Sequence, residues 1–581
     1  MRAPAAPLAL GLLLAAAAIL LRLVAATNGL PLPLASDEEV MLGGALRILE
    51  TRNPIPTLSP ILAETLHYPP LLAWLYAATT VPVAAYLWWT TGFGSVADLG
   101  LALSFAPETY WYAARATSVA FGVGAVFVVY RLARELGLGT SAALVAAALV
   151  AFDPTHLMMG ATARHWAATF FFLWATHWMA LRVFDRGRLA DYRWAALFGA
   201  LGFGTSYIGA LGLIALAVAH LARAVRARRA AALFDRAALE TILIAGVLTA
   251  LFALAHLPAI TRLVGGGAIL PLATPKSFAG FAENLWFYTR AYLWSNPVLV
   301  VGGLAALGAA LSVFRGRRGV VAFGVGFGIF YMVFLYRLMP TEERYALPVV
   351  GLLALGLACI VDRIEATRLR GVVLGLVLVY PLASSAQLVR LMAAPDTRLQ
   401  AKRWIEANVA APDGVGIHMP GVWFRNTAEA VAAIAQIDPG ALRNRDRQIA
   451  ALGARTPAFS LPPAIAYVDL DQIKPETWAK AGSDPVSFMR AQGWRTVAIG
   501  TLRSWVPPAW YARLEQCARL VVAFEGSPPT APSELDMRRT LIFREGSWTW
   551  FARDSFGPRV EIWTLQAAAE APGACGEESG L

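Results

Sequence analysis

The feature that most constrains the fold of this chain is a series of apolar runs between residues 8 and 391, each about 20 residues long. A helix of that length spans the hydrocarbon core of a bilayer. Of the 581 residues, 57% are hydrophobic and only 15% are charged, which is too little charge for a soluble protein of this size. We therefore predict a polytopic α-helical membrane protein with about 11–13 transmembrane helices.

The positive charge of the chain follows the same pattern. The formal net charge is +11, which by itself could indicate a nucleic-acid partner. The arginines, however, lie mainly in short loops between apolar runs, as the positive-inside rule describes for cytoplasmic loops. We therefore expect no nucleic-acid partner, and we place the loops at residues 27–68, 258–289 and 339–345 on the extracytoplasmic side.

The sequence leaves the number of crossings open. Residues 8–26 form either the first span or a signal peptide, and the residues after them are exported in both cases. Two apolar runs, residues 70–89 and 112–132, then separate this exported loop from Arg134. If Arg134 is cytoplasmic, an odd number of crossings must lie between them.

Two topologies satisfy this count. In the first, one of the two runs is not a full crossing, and residues 194–221 form two short helices that bend at Gly204-Thr205. In the second, Arg134 and Arg186 lie outside and residues 194–221 cross once, which gives about 11 crossings. Both topologies leave residue 392 onward outside.

The character of the chain changes near Asp396, where charge rises and apolar runs shorten. Helical patterns there alternate with short strand patterns, which predicts an α/β domain. We divide the chain into a transmembrane domain, residues 1–391, and an extracytoplasmic α/β domain, residues 392–581. Cys517 and Cys575 could form a disulfide there, although spacing alone cannot pair them. The predicted strands are 414–419, 465–468, 496–499, 520–524 and 559–564.

Two adjacent carboxylates, Asp37 and Glu38, follow the first apolar run. A carboxylate at the outer mouth of a membrane cavity can act as a general base toward an acceptor hydroxyl. The alternative is that both residues complement the dipole of the helix that starts here. Ser36 and Glu39 have the spacing of a capping box, so we expect this helix to start at Ser36 and to lie on the membrane surface.

Further candidate residues lie at other entries to apolar runs. His67 and Tyr68 precede two prolines and could contact a substrate, or could be an interfacial aromatic pair. Arg344 and Tyr345 lie at the start of a late apolar run. The Arg344 guanidinium could bind a lipid phosphate. The alternative is an arginine whose side chain only extends to the membrane interface. Arg290 flanks another outer loop and could also bind an anion. Arg164 and His165 would belong to the site only if their junction lies outside, which the open topology leaves undecided.

Taken in order, these motifs resemble one family. The acidic pair after the first span, the interfacial helix and the Pro-Pro-Leu entry at Pro69 are similar to membrane glycosyltransferases of the C-type fold. They resemble above all the protein O-mannosyltransferase and aminoarabinose transferase superfamily, which is glycosyltransferase family 39-like. Residues 112–137, with Arg115 at the usual place, Arg344-Tyr345 before Pro348, and residues 397–413 extend the resemblance.

The resemblance implies an inverting transfer of a sugar from a polyprenyl-phosphate donor at the outer face of a bacterial inner membrane, with the C-terminal domain in the periplasm. Asp37 would be the base, and Glu38 would orient it or bind a divalent metal ion. Arg344, with Arg290, would hold the lipid phosphate, beside Tyr345, His67 and Tyr68. The acceptor would be a lipid, glycan or protein.

Two other functions stay open at this point. His67-Tyr68 stands where relatives often have Glu-Lys, so a phosphate-binding lysine is absent, which suits a degenerate protein that acts in binding or assembly. A lipid or sugar transporter would show charged residues in mid-span and internal repeats. Neither feature is clear in the sequence.

Overall fold

The computed structural model describes residues 5–35, 37–66, 68–228, 233–266, 277–313, 328, 343–452, 461–470, 472–480, 484–500, 508–526 and 546–566. Up to residue 393 the described elements are all helical. These helices are α1 Ala5–Ala25, α2 Glu38–Thr51, α3 Pro60–Thr65, α4 Leu71–Thr91, α5 Val96–Phe105, α6 Glu108–Glu135, α7 Thr140–Ala151, α8 Pro154–Gly160, α9 Trp166–Asp185, α10 Leu189–Thr205, α11 Leu211–Ala227, α12 Arg236–Ala255, α13 Leu257–Gly266, α14 Phe278–Ser295, α15 Pro297–Val313, α16 Leu347–Asp362 and α17 Thr367–Ala393.

Within these described residues, seven helices are long and apolar enough to cross a membrane. The count becomes eight if α7 and α8, which meet at an angle of 65°, form one broken span. Helices α6, α7, α9 and α16 pack closely and share a buried core of alanine, valine and leucine side chains. The prediction of a multi-pass helical membrane protein is therefore confirmed.

Helix α4 runs antiparallel to α6 and does not lead to the other side of the bundle. Tyr76 of α4 is hydrogen-bonded to Ser118 of α6 at 2.9 Å, and three residues later the Thr79 hydroxyl is hydrogen-bonded to that of Thr117 at 3.2 Å. Helix α4 therefore continues beyond the first turn of α6, on the side where α6 begins. This arrangement supports the first of the two topologies, in which the run at residues 70–89 is not a full crossing.

The second requirement of that topology is also met. Helices α10 and α11 are separated by a 3₁₀ turn, Tyr207–Ala210, and both pack on α9. Thr205 ends α10 beside Thr169 near the start of α9, at 3.2 Å between the hydroxyl oxygens. Tyr192 near the start of α10 contacts His220 of α11 at 2.8 Å, so the two helices form a hairpin. The bend lies where the sequence predicts it.

The loops at the opposite end of the bundle also contact one another. Arg186 after α9 forms an ion pair with Glu135 at the end of α6. The backbone N–H of Gly139 donates to the Asp362 carboxylate at the end of α16, at 3.1 Å. Arg134 and Arg186 thus lie at the end of the bundle farthest from Asp37, as expected for positively charged cytoplasmic loops.

The C-terminal region is an α/β structure around one sheet. Its helices are α18 Thr397–Asn408, α19 Ala428–Ile437, α20 Asn444–Leu452, α21 Pro475–Lys480, α22 Pro485–Ala491 and α23 Pro508–Cys517. Its strands are β1 Gly414–His418, β2 Ala466–Asp469, β3 Thr496–Ile499, β4 Ala518–Phe524 and β5 Val560–Leu565. The sheet order is β2-β1-β3-β5-β4, with β2, β1 and β3 parallel and β5 antiparallel to both its neighbours. All five predicted strands are present.

The sheet is held on the end of the bundle where Asp37 lies. The Ser547 hydroxyl donates to the carbonyl of Ser295 at 2.9 Å, and Tyr380 contacts the same hydroxyl at 2.6 Å. Phe105 of α5 packs edge-on against Trp423, with 6.1 Å between ring centroids. In the same region Cys517 is disulfide-bonded, whereas Cys575 lies outside the described residues.

The α10–α11 hairpin depends on a backbone contact that only glycine permits. A Cβ atom at Gly209 would lie 2.0 Å from the carbonyl oxygen of Gly202, whereas a Cβ atom at Gly246 of α12 would meet nothing within 4 Å. We expect Gly209→Ala to lower the free energy of unfolding by about 1–3 kcal/mol because the helices must separate. Gly246→Ala should leave it unchanged or raise it.

The measurement is the midpoint of thermal unfolding of the purified protein in detergent. Equal midpoints for the Gly209 and Gly246 variants would contradict the close contact between the two glycines.

Candidate active site

Asp37 lies immediately before α2 in an unusual backbone conformation. It is the N-cap of α2, its φ is 66°, and its side chain does not cap the helix. Aspartate is one of the few non-glycine residues that adopts this left-handed region, at some cost in free energy. The prediction of a Ser36–Glu39 capping box was wrong in register, because the helix starts two residues later; Ser36 itself lies outside the described residues.

Two arginines from distant parts of the chain bind the Asp37 carboxylate. Its Oδ2 atom accepts a hydrogen bond from Arg164 at 2.8 Å and one from Arg344 at 3.0 Å. The Arg164 side chain is fully buried and that of Arg344 is 8% exposed, whereas that of Asp37 is 27% exposed. The carboxylate is therefore held from the protein side by two guanidinium groups and is still accessible from outside.

The charge state of Asp37 follows from these contacts. Burial alone would raise its pKa, but Arg164 and Arg344 together outweigh burial and hold the pKa below its usual value. The neighbouring His165 is buried, and burial lowers its pKa to about 3, although the charge of Asp37 opposes this. At neutral pH the cluster therefore contains an ionised carboxylate, two cations and a neutral imidazole.

Aromatic side chains surround this cluster. Tyr68 packs against His165, with 4.4 Å between ring centroids, and Tyr345 packs edge-on against Trp166 at 5.3 Å. Burial raises the pKa of Tyr68, and the Asp37 charge adds to the effect, so its hydroxyl keeps its proton and can donate a hydrogen bond. The structure thus brings Tyr68, Arg344 and Tyr345 together near Asp37, as predicted.

Two other predicted residues are not placed there. His67 lies outside the described residues. Arg290 is described, in α14, and makes no hydrogen bond or ion pair with the Asp37 cluster that the described residues show. The proposal that Arg290 holds the lipid phosphate therefore gains no support from its contacts.

Glu38 faces away from Asp37, into the bundle. Its two oxygens accept from the Arg115 guanidinium at 3.0 and 2.8 Å, and one of them also accepts from the Ala163 backbone N–H at 2.6 Å. The Arg115 guanidinium also donates to the carbonyls of Ala26 and Asn28, at 2.8 and 2.7 Å. Glu38 and Arg115 are both fully buried. This ion pair fixes the loop that carries Arg164.

The sequence could not assign Arg164 to the site, because its side of the membrane was open. The structure places Arg164 at the Asp37 end of the bundle. Helices α7 and α8 run toward that end, Arg164 follows α8, and α9 runs back toward the opposite end. The signal for Arg115 was present, since an arginine inside an apolar run needs an acidic partner or an exit to water. Three consecutive acidic residues, Asp37, Glu38 and Glu39, follow the first apolar run closely and are the candidates for that acidic partner.

The described residues do not form a metal site at Asp37. No group of three or more His, Cys, Asp or Glu side chains gathers anywhere in the part of the chain that the structure describes. The Asp37 carboxylate is instead bound to two guanidinium groups, whose charge opposes a cation at the same oxygens. The residues around Asp37 therefore do not fit a divalent metal ion.

The comparisons with known proteins agree with this class of fold. Residues 97–256 match the sequence model of the dolichyl-phosphate-mannose-protein mannosyltransferases. The predicted resemblance to the protein O-mannosyltransferases is therefore confirmed over this range. The matched range contains Arg115 and Arg164 but neither Asp37 nor Arg344. A comparison with curated proteins gives no significant match.

The solved structures that are similar to this chain include two proteins. One is ArnT from Cupriavidus metallidurans bound to undecaprenyl phosphate, at 11% identity and a TM-score of 0.47, covering 97% of this chain and 99% of that one. Another is the oligosaccharyltransferase AglB from Archaeoglobus fulgidus in complex with an inhibitory peptide and a dolichol-phosphate, at 12% identity and a TM-score of 0.46, covering 96% and 88%.

The buried Glu38–Arg115 pair generates a stability prediction. Arg115→Met leaves the Glu38 carboxylate buried without its counter-ion and should lower the free energy of unfolding by about 3–5 kcal/mol. The double variant Glu38→Leu with Arg115→Met should recover much of that loss, since it removes both charges. Thermal unfolding in detergent provides the comparison.

The surface pair Arg47–Glu50 supplies the control, because its side chains are 30% and 63% exposed. Arg47→Met should change the unfolding midpoint little. A double variant at Glu38 and Arg115 that is less stable than Arg115→Met alone would contradict the predicted coupling.

Proposed function

We propose that this protein is an integral-membrane glycosyltransferase that moves a sugar from a polyprenyl-phosphate donor to an acceptor hydroxyl at the outer face of the membrane. The observation that carries the proposal is the Asp37 carboxylate held between Arg164 and Arg344 at one end of the helical bundle. This arrangement places a carboxylate beside two fixed cations. Such a transfer needs a proton acceptor and groups that stabilise a departing phosphate.

Arg164 and Arg344 would bind the donor phosphate. Guanidinium groups match the geometry of phosphate oxygens, and the buried position of both side chains strengthens the attraction. In the reaction the bond between the sugar C1 atom and the phosphate oxygen breaks, and its electron pair leaves with the lipid phosphate. The two fixed cations stabilise that added charge without moving.

Asp37 would be the base. As the acceptor oxygen forms its bond to C1 from the face opposite the phosphate, its proton passes to the Asp37 carboxylate, and the anomeric centre inverts. The lowered pKa of Asp37 ensures that the carboxylate is ionised before the reaction. Donor phosphate that shares the two arginines would weaken their hold on Asp37 and raise its basicity, because each cation then faces two anions.

Other residues of the cluster would position these groups. Glu38 would act through Arg115 and the Ala163 N–H, which fix the loop before Arg164. The protonated Tyr68 and Tyr345 would line the cavity that receives the sugar. We place the protein in a bacterial inner membrane, with the α/β region in the periplasm, and its acceptor among glycans, lipids or proteins.

One observation favours a second candidate, a binding or assembly protein that kept the fold. Asp37 is already bound to two cations, and its low pKa makes it a weak base in the absence of ligand. A protein of that kind would neither turn over nor hydrolyse a polyprenyl-phosphate-linked sugar, whereas the transferase would do at least one of the two.

The first test replaces the base. With the polyprenyl-phosphate-linked sugar that the purified wild type uses best in a donor panel, Asp37→Asn should lower kcat by roughly 10²–10⁴. Donor binding should persist, since both arginines remain. Glu50→Gln, at the other end of α2, is the matched acidic control and should keep full turnover. Unchanged kcat in the Asp37 variant would remove the base assignment.

The second test uses pH. The active form of Asp37 is the carboxylate, so activity is lost as pH falls through its pKa in the free enzyme. Because Arg164 lowers that pKa, Arg164→Met should raise it and move the acidic limb of the kcat/KM profile to higher pH. The wild-type limb should stay below the ordinary aspartate pKa of about 3.9.

Arg47→Met, on the exposed face of α2, is the control and should leave the limb in place. A merely structural role of Arg164 would lower the level of activity but would not move the limb. Superimposable acidic limbs for wild type and Arg164→Met would therefore refute the proposed coupling.

A further inference from the structure

A second cavity lies beside α2, between the helical bundle and the α/β region. Its volume is about 490 Å³, and residues from α2, α5, α6 and the C-terminal region line it. Its polar and aromatic lining includes Glu39, Trp111, Arg443, Arg445, Gln448 and Gln472. None of them takes part in the Asp37 cluster.

The position of this cavity is tied to the site by the first turn of α2. Asp37, Glu38 and Glu39 are consecutive, and each carboxylate has a different environment. Asp37 binds two arginines, Glu38 is buried on Arg115, and Glu39 lines the cavity. Successive residues of a helix rise by about 1.5 Å, so the cavity begins less than one helical turn from the proposed base.

The α/β region contributes the end of its sheet where ligands usually bind. Gly421 follows β1 by three residues, Gln472 follows β2 by three, and both line the cavity. In open parallel sheets, ligands bind outside the carboxyl ends of the strands. Here that end is covered by α2 and α5, so a ligand bound there would contact both parts of the protein.

Each arginine of the lining has a carboxylate near it. Arg443 forms an ion pair with Asp469 and donates to the carbonyl of Val422 at 3.2 Å. Arg445 donates to the carbonyl of Ser104 at 2.9 Å and stacks on Trp423 at 4.2 Å, and its charge attracts Glu39. Both arginines therefore lie near carboxylates of the protein, and neither is left as an uncompensated cation for a phosphate.

Amide and indole groups complete the lining. The Oε1 atom of Gln448 is buried and has no hydrogen-bond partner among the described residues. A buried acceptor without a partner is unfavourable, and a ligand hydroxyl would supply the missing hydrogen bond. Gln472 and Glu39 add further acceptors, and the amides add donors, while Trp111 and Leu42 supply apolar surface. Alternating donors, acceptors and apolar surface match a sugar.

We propose that this cavity binds an uncharged saccharide portion of the acceptor and so presents an acceptor hydroxyl to Asp37. The role of the saccharide as an acceptor rests on the proposed glycosyltransferase function, whereas the binding of a neutral saccharide does not. Gln448 and Gln472 are then specificity residues for the acceptor, and Glu39 accepts hydrogen bonds from its hydroxyls.

The test uses the full-length protein in lipid nanodiscs and a panel of short neutral oligosaccharides, with saturation-transfer NMR as the readout. At least one oligosaccharide should bind the wild type. Gln448→Leu and Gln472→Leu should each raise its Kd, and together by roughly tenfold or more. Arg447→Ala is the control, because Arg447 lies on the same helix and does not line the cavity. Gln472 is exposed in a turn, so that variant should fold.

The outcomes separate this proposal from the proposed function. Asp37→Asn should keep oligosaccharide binding while it loses transfer. Full transfer by Asp37→Asn would refute the base assignment and leave the saccharide site standing. The saccharide site is refuted if no neutral oligosaccharide binds the wild type, if only inorganic phosphate or sulfated oligosaccharides bind, or if both glutamine variants bind like Arg447→Ala. In a transfer assay the double variant should raise KM for the acceptor and leave kcat unchanged.

Discussion

The ion pair between Glu38 and Arg115 is the interaction on which the rest of this site depends. A guanidinium inside a membrane bundle must be neutralised and fully hydrogen-bonded. Arg115 satisfies this with one carboxylate and two backbone carbonyls, which come from α2 and from the segment after α1. The same carboxylate binds the N–H of Ala163. One buried pair thereby connects α2, α6 and the loop that carries Arg164.

The division of work between neighbouring carboxylates follows from this connection. Because Glu38 is committed to Arg115, the direction of α2 is fixed, and Asp37 must turn out of the helix to reach Arg164 and Arg344. Its left-handed backbone is the local cost of that turn, and the two ion pairs offset it. The next residue, Glu39, then points toward the α/β region. Of these three consecutive acidic residues, Glu38 is buried in the bundle, Asp37 lies in the candidate reaction centre, and Glu39 lines the second cavity.

Much of the fold could be predicted from the sequence, because it follows from short-range patterns. The length of the apolar runs predicted a multi-pass helical protein, and strand-like runs predicted all five strands of the C-terminal sheet. The start of α2 was misjudged, since Ser36 and Glu39 fit a capping box, whereas tertiary contacts to Arg115 and Arg164 set the actual start. A local pattern cannot reveal that a long-range ion pair outweighs a cap, which contributes only about 1 kcal/mol.

The candidate site was predictable in part for the same reason. Asp37, Tyr68, Arg344 and Tyr345 stand just before helices that begin in loops predicted to be extracytoplasmic, so the sequence could place them on one side. Arg164 stands at an equivalent place, yet its side depended on whether α4 crosses the membrane. That question is decided by hydrogen bonds such as Tyr76–Ser118, between residues 42 positions apart.

The course of α4 also explains how the two parts of the protein can act together. Since α4 and α5 stay on the Asp37 side, they extend from the bundle to the α/β region, and Phe105 and Ser104 contact that region directly. Had α4 crossed the membrane, α5 would lie at the opposite end and nothing from it would line the second cavity. The antiparallel course of α4 along α6 is therefore what brings the sheet, the cavity and the Asp37 cluster to one end of the bundle.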